Sequence, residues 1–209
     1  MIKAVFFDID GTLISWKTRT IPASVFTALD ALREKFSDES FLSNRGLSNE
    51  VGLYIFAYHP DEEMIVRDFV QTLENQCASE HLPWRVRVFD LYEILLDICR
   101  ERRILDRIPQ MEQQRGQEFI LAQIQRIAPP QAYIERMRYD HHRHGDVIVL
   151  TGIGRVFPYM RSHNILNNLQ HVFDDIPLVL LYPGEYDGQS LVLFERFTDD
   201  NYYRAFNIV

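Results

Sequence analysis

Lysine is almost missing from this chain. Nineteen arginines stand against three lysines, and no lysine lies beyond Lys35. Everything downstream must therefore do without a lysine that clamps phosphate or forms a Schiff base. Positive charge as a whole is short: 22 basic against 30 acidic residues give −8 at pH 7. Proteins that live on nucleic-acid phosphates replace counterions with Lys and Arg, so nucleic acid is not the expected partner. Cysteine is scarce too. Cys77 and Cys99 form no C-x-x-C pair and have no metal-ligand spacing, which excludes a disulfide framework or a cysteine zinc site. Two reduced, buried thiols are expected. No apolar run approaches the roughly 20 residues that a spanning helix needs. Met1 leads within a few residues to Asp8 and Asp10 rather than into a signal sequence, so a cytoplasmic protein is expected. No Gly-x-Ser-x-Gly elbow, His-Glu-x-x-His helix or Walker lysine occurs.

What is present is an ordinary globular balance, 46% hydrophobic and 25% charged over 209 residues. That length suits one domain, or one with an appendage. Residues 3–7 are an apolar run ending in Asp-Ile-Asp-Gly-Thr, a strand and a turn. Residues 22–36 carry Val25, Phe26, Leu29, Leu32 and Phe36 at helical spacing, and 37–49 read as a polar loop. Residues 51–58 are β-branched and aromatic, a strand. Pro60-Asp61-Glu62-Glu63 then opens a helix with Ile65, Phe69, Leu73 and Cys77 on its apolar stripe. A strand at 86–89 precedes the stripe of Leu91, Ile94, Leu95 and Ile98. A longer polar helix runs through Phe119, Ile120, Ile124 and Ile127 until Pro129-Pro130 stops it. Residues 133–145 are charged and His-rich. The buried strand DVIVL at 146–150, a helix with Ile165, Leu166, Leu169 and Phe173, and an apolar strand at 178–182 follow. Asp187-Gly188 has the chemistry of a type I′ hairpin turn before 191–194. This order predicts an α/β fold: a mostly parallel sheet of about five to six strands, helices on both faces and a C-terminal hairpin.

The octapeptide FFDIDGTL at 6–13 resembles motif I of the haloacid-dehalogenase (HAD) phosphatases. That resemblance implies Asp8 as nucleophile and Asp10 as general acid, with Mg²⁺ beside them. It extends over about the first 30 residues. Ser43 or Thr151 could supply the family's hydroxyl, but its later lysine has no counterpart after Lys35. Its metal-binding acidic pair has none in the right context either: Asp174-Asp175 precedes a strand, and Asp199-Asp200 lacks the Gly-Asp setting. Two acids alone hold Mg²⁺ weakly.

Thr151-Gly152-Ile153-Gly154 follows a strand and opens a helix, half of a dinucleotide fingerprint, with Phe157 where the third glycine belongs. Gly152, Gly154 and Arg155 are thus candidates for a weak anion site, against the plainer reading of a glycine turn that packs helix on sheet. Asp140-His141-His142-Arg143-His144 has metal-like composition, but consecutive ligands face different ways, and a solvated loop is expected. Arg85, Arg87, Arg100, Arg102, Arg103 and Arg107 interleave with Asp97, Glu101 and Asp106, a salt-laced face rather than a phosphate track.

Four further stretches carry a second resemblance: FLSNRGLSNEVGLYIFAYHPDEEMIVRDF at 41–69, VFDLYEILLDIC at 88–99, DVIVLTGIGRVFPYMRSHNILNNLQ at 146–170 and PLVLLYPGEYDGQSLVLF at 177–194, closing in DDNYYRAFNIV. From about residue 32 to the end the chain resembles the BrxB proteins of the BREX bacteriophage-exclusion systems. The expected division is 1–31, HAD-motif-like, and 32–209, BrxB-like. The resemblance implies a small component of a multi-protein phage-defence apparatus that includes an ATPase, a DNA methyltransferase and a PglZ-type protein, with no established catalytic motif. A non-catalytic adaptor with a PglZ-type partner and no cofactor is therefore the leading expectation. Tyr182, Glu185, Tyr186, Tyr202, Tyr203 and Arg204 are candidate partner contacts, since Tyr and Arg are favoured at interfaces. The alternatives are an Mg²⁺-dependent phosphatase using Asp8 and Asp10, and a nucleotide- or nucleic-acid-binding module using Gly152–Arg155 and the arginine group.

Overall fold

The computed structural model describes residues 23–43, 52–169, 172–173, 175–199 and 205–209. The expected first strand, at 3–7, lies outside them. Helix α1 (Ala23–Lys35) buries Val25, Leu29 and Leu32. A short α2 (Glu39–Leu42) follows, where a loop was expected. Asp38 caps it by accepting from the Ser40 amide, and Phe41 and Leu42 are buried. Strand β1 (Leu53–Tyr58), a 3₁₀ turn (Pro60–Glu62) and α3 (Glu63–Ser79) come next. Strand β2 (Arg85–Asp90) leads into α4 (Leu91–Glu101).

The predicted long polar helix is two helices, α5 (Ile108–Arg115) and α6 (Gln117–Ile127), broken at Gly116 with φ +82°. Pro129-Pro130 ends α6 but also starts α7 (Pro130–Met137). Proline suits a first helical turn. Tyr133, Ile134 and Met137 recur at helical spacing and are fully buried, so the first part of the His-rich stretch is core helix and not loop. Strand β3 (Asp146–Thr151), α8 (Ile153–Val156), α9 (Ser162–Leu169) and β4 (Leu178–Tyr186) complete the α/β part. Strands β5 (Leu191–Leu193), β6 (Phe197–Asp199) and β7 (Phe206–Asn207) end the chain.

The sheet runs β2-β3-β4-β1-β7 with every pair parallel, and β5 and β6 extend antiparallel from the far end of β4. This is the predicted α/β class and mostly parallel sheet, with seven strands. From β1 the chain crosses to the far edge at β2, then returns through β3 to β4. Parallel crossovers are right-handed almost without exception, so reversing the direction of travel moves the connecting helices to the other face. Two cores result. Val147, Val149, Val179, Leu181, Tyr54 and Phe56 face α1 and α3, with Cys77 packed beside them. Ile148, Leu150, Leu178, Leu180, Leu53 and Ile55 face α4, α6, α7 and α9, with Cys99 among them. Near-continuous apolar strands such as DVIVLT are required because side chains on both faces are covered.

The hairpin predicted at Asp187-Gly188 is present with a longer loop. Tyr186 pairs with Leu191, and the Asp187 carboxylate accepts from the amides of Gln189 at 2.8 Å and Ser190 at 2.6 Å. A second turn joins β5 to β6, with Phe194 and Glu195 left-handed at φ +54° and +59°.

Candidate functional site

The carboxyl ends of β1, β2 and β3 present Tyr58, Asp90 and Thr151 to a cleft of ≈ 430 Å³ between α3 and α4. In open parallel sheets ligands gather at this end. Val66, Val70, Val88 and Leu181 give the cleft an apolar side, and Glu63, Glu74, Glu93 and Asp97 an acidic one.

Asp90 is the pivot. It ends β2 and caps α4, with Oδ1 accepting from the amides of Tyr92 at 2.9 Å and Glu93 at 3.1 Å. Its Oδ2 accepts from Arg155 Nη2. Arg155 Nη1 reaches Glu93 Oε1 at 3.4 Å, and the guanidinium lies over the Tyr92 ring at 5.2 Å. Gly152 is left-handed at φ +75°, and a Cβ there would run into the Asp90 carboxylate. Glycine is needed at 152 on both counts.

These contacts bear on the anion site expected at Gly152, Gly154 and Arg155. The helix that follows Gly152 is only four residues long. Arg155 is turned onto two carboxylates, so an anion arriving there meets Asp90 and Glu93. Gly154 serves packing instead: a Cβ would sit 2.6 Å from the Phe194 ring. The plainer reading, a glycine turn seating helix against sheet, describes this loop.

On the other side of the cleft the Tyr58 hydroxyl donates to Glu63 Oε2 at 2.5 Å, and Arg67 Nε donates to Glu63 Oε1 at 2.8 Å. Burial, reinforced by the Glu63 charge, pushes the Tyr58 phenol well above its ordinary range. Burial also raises the Glu74 carboxyl. Tyr58, Glu63 and Arg67 thus bind one another.

The turn between β5 and β6 reaches the same end of the sheet. Phe194 lies against Gly154 and Pro183, and Glu195 Oε1 is 3.2 Å from His59 Nε2. The tip therefore ties the loop after β3 to the loop after β1, across the end of β4. That is where the sheet order reverses and where doubly wound folds hold their ligands.

The other expected residues divide. Asp8 and Asp10 lie outside the described residues, as do Asp174, Asp200, Tyr202, Tyr203 and Arg204. Tyr182, expected as an exposed contact, is 1% exposed. It stands on β4, whose residues up to Gly184 are buried on both faces, and its hydroxyl shares a hydrogen bond with Ser162. Glu185 is exposed, and half-buried Tyr186 donates to the Ala205 carbonyl at 2.8 Å. The arginine group does not form a track. Arg85 binds Asp146, Arg87 lies over the Tyr139 ring and Arg100 pairs with Asp97, while Arg102, Arg103 and Arg107 are exposed. In the His-rich loop His142 packs on Tyr139 and Phe173 and pairs with Asp175 at 2.9 Å. Among the described residues no group of three or more His, Cys, Asp or Glu is placed to hold a metal ion, and no helix is long and apolar enough to cross a membrane.

A second, smaller cavity of ≈ 240 Å³ lies between the α8–α9 segment and the β5–β6 turn. Arg161, Arg196 and Phe197 line it. The sequence offers no signal for these three, because each is a single side chain outside any ligand-binding motif.

A family model described as "BREX protein BrxB" matches residues 87–208, from β2 to β7. A "BREX protein BrxB" of Bacillus cereus (strain H3081.97) is 42% identical over 184 residues, covering 87% of this chain and 95% of that protein. One of Escherichia coli O9:H4 (strain HS) is 30% identical over 187 residues, covering 87% and 90%. No solved structure matches. The chain belongs to the BrxB family of BREX proteins.

Proposed function

We propose that this protein is a non-catalytic adaptor of a BREX-type phage-defence complex, acting by protein–protein contact, with a PglZ-type protein as its expected partner. One observation carries the reading. At the sheet end where α/β proteins place their chemistry, Arg155 is bound by Asp90 and Glu93, Glu63 by Tyr58 and Arg67, and the reversal point is occupied by the β5–β6 turn. A general base or nucleophile needs a side chain free to meet substrate, and these are engaged with each other. Among the described residues this mutual engagement supports a role carried by the surface.

The test is co-purification. The tagged protein is expressed beside a PglZ-type protein and the other BREX components, and a stoichiometric complex stable at moderate salt is expected. No complex with any component counts against the adaptor. Mg²⁺-dependent turnover of a generic phosphoester that disappears in Asp8→Asn would instead establish an enzyme built on the N-terminal motif.

A further inference from the structure

The cleft at the carboxyl ends of β1, β2 and β3 is amphipathic in depth. Val66 and Val70 of α3 and Leu181 of β4 line it and are buried, with half-buried Val88 of β2 beside them. Glu74 of α3 and Glu93 and Asp97 of α4 line it and are exposed. Apolar surface therefore lies beneath and negative charge stands at the mouth. On α3 the lining residues Glu63, Arg67, Val70 and Glu74 recur at helical spacing, as Glu93 and Asp97 do on α4, so each wall is one helix face. The volume, ≈ 430 Å³, lies within the roughly 300–1,000 Å³ of ligand-holding clefts.

Five carboxylates in this lining are met by three guanidinium groups. Arg67 binds Glu63, Arg155 binds Asp90 and Glu93, and Arg100 binds Asp97. No described residue pairs with Glu74, and burial raises its carboxyl. Asp97 and Arg100 are both exposed, and exposed pairs are weak, so Asp97 is free to change partners. An excess of carboxylates excludes phosphates and other anions. A wholly apolar group would strip water from the acids at the mouth and return no hydrogen bond. An arginine or lysine side chain answers both surfaces, because its aliphatic stem lies on apolar groups while its charged head stays polar. The molecule already holds one cation in this manner next to the cleft: Arg155 sits on Asp90 and Glu93 and over the Tyr92 ring.

From this complementarity we infer that the cleft is a docking site for a basic side chain projecting from a partner protein. The stem of that arginine or lysine lies along Val66, Val70, Val88 and Leu181. Its head meets Glu74 on one helix and Asp97 on the other. The inference rests on the adaptor reading and gives the chemistry of the contact that the partner makes.

Two measurements test it. In the first, a fluorescein-labelled peptide alternating lysine with leucine is titrated with the full chain and followed by anisotropy. Binding is expected to weaken with salt and to fall about tenfold or more in Glu74→Lys/Asp97→Lys. Gln71 is exposed and lines the cleft, so Gln71→Trp fills the mouth without a change of charge and should weaken binding as well. Asp106→Lys/Glu135→Lys makes the same change of charge at exposed acids outside the cleft and should leave binding unchanged. Unchanged melting temperatures exclude misfolding. No binding, an equal loss in Asp106→Lys/Glu135→Lys, or full binding by Gln71→Trp overturns the proposal. In the second, the same variants enter the co-purification. Loss of the complex in Glu74→Lys/Asp97→Lys and in Gln71→Trp, with retention in Asp106→Lys/Glu135→Lys, supports the site. A complex that survives overturns the site and leaves the adaptor standing. Peptide binding that needs the cleft, without any BREX complex, supports the site and removes the adaptor assignment. Free spermidine bound there as tightly as the peptide, and lost in Glu74→Lys/Asp97→Lys, overturns the choice of a protein occupant.

Discussion

Asp146 opens β3 directly opposite Arg85, the first residue of β2. Arg85 donates to both carboxylate oxygens, at 2.8 and 2.7 Å, and the Tyr139 hydroxyl and the Arg143 amide add bonds at 3.1 and 3.2 Å. The aspartate is 2% exposed. Burial pushes its carboxyl upward, but these donors outweigh burial and hold it below its ordinary value. Asp146→Asn should cost about 2–3 kcal/mol, because it breaks a bidentate charged pair and leaves Arg85 without its counter-charge. A group depressed in the folded state stabilises above its unfolded value, near 3.9, and loses that contribution as pH falls through the folded value. Urea unfolding should therefore show the full gap between wild type and Asp146→Asn above about pH 5 and a narrowing gap below about pH 4. Gly152→Ala adds a left-handed penalty of roughly 1–2 kcal/mol to a clash with Asp90. A drop of at least about 2 kcal/mol in denaturant stability is expected.

The start of α4 depends on one side chain that also holds Arg155. Asp90→Ala should remove about 1 kcal/mol of cap energy and release Arg155, whereas Asp90→Asn keeps an acceptor for the Tyr92 and Glu93 amides and should cost less. Thermal melts of the pair separate capping from charge. Elements also differ in how plainly the sequence announces them. Strands β1, β3 and β4 are legible because apolar residues run without interruption, the mark of a strand covered on both faces. Helix α7 is hidden by its charges, although Tyr133, Ile134 and Met137 keep a helical period through them. Strand β6 carries no signal at all. The turn before it places Phe194 and Glu195 in left-handed conformations without glycine or asparagine. What holds them is distant: Gly154 against the Phe194 ring and His59 against Glu195. The site was legible to the same degree. Gly152, Gly154 and Arg155 could be picked out by motif, but Asp90 takes its importance from a contact 65 residues away in sequence.

Both faces of the molecule lean on the same strands. Leu150 belongs to the core under α4 and α9, and Phe56 to the core under α1 and α3. Leu150→Ala and Phe56→Ala should each cost roughly 3–4 kcal/mol. Each should leave a single unfolding transition when circular dichroism and tryptophan fluorescence are compared, since neither core survives loss of the sheet between them. The sequence anticipated this layering from the strand–helix order alone. Strand order was not legible, because the return path from the far edge is decided by packing and by crossover handedness.

Cys77 packs with the α1–α3 core and Cys99 within the other, so the sheet stands between the two sulfurs. Oxidation cannot join them in the folded protein, and the chain carries one built-in chemical reporter for each side. Burial keeps the Cys99 thiol raised and protonated, which slows its alkylation further. In graded urea, mass spectrometry after brief alkylation should show Cys99 becoming reactive at the unfolding midpoint, with half-buried Cys77 losing its remaining protection in the same step. Loss at separate urea concentrations would mean that one side of the sheet is shed while the other still holds.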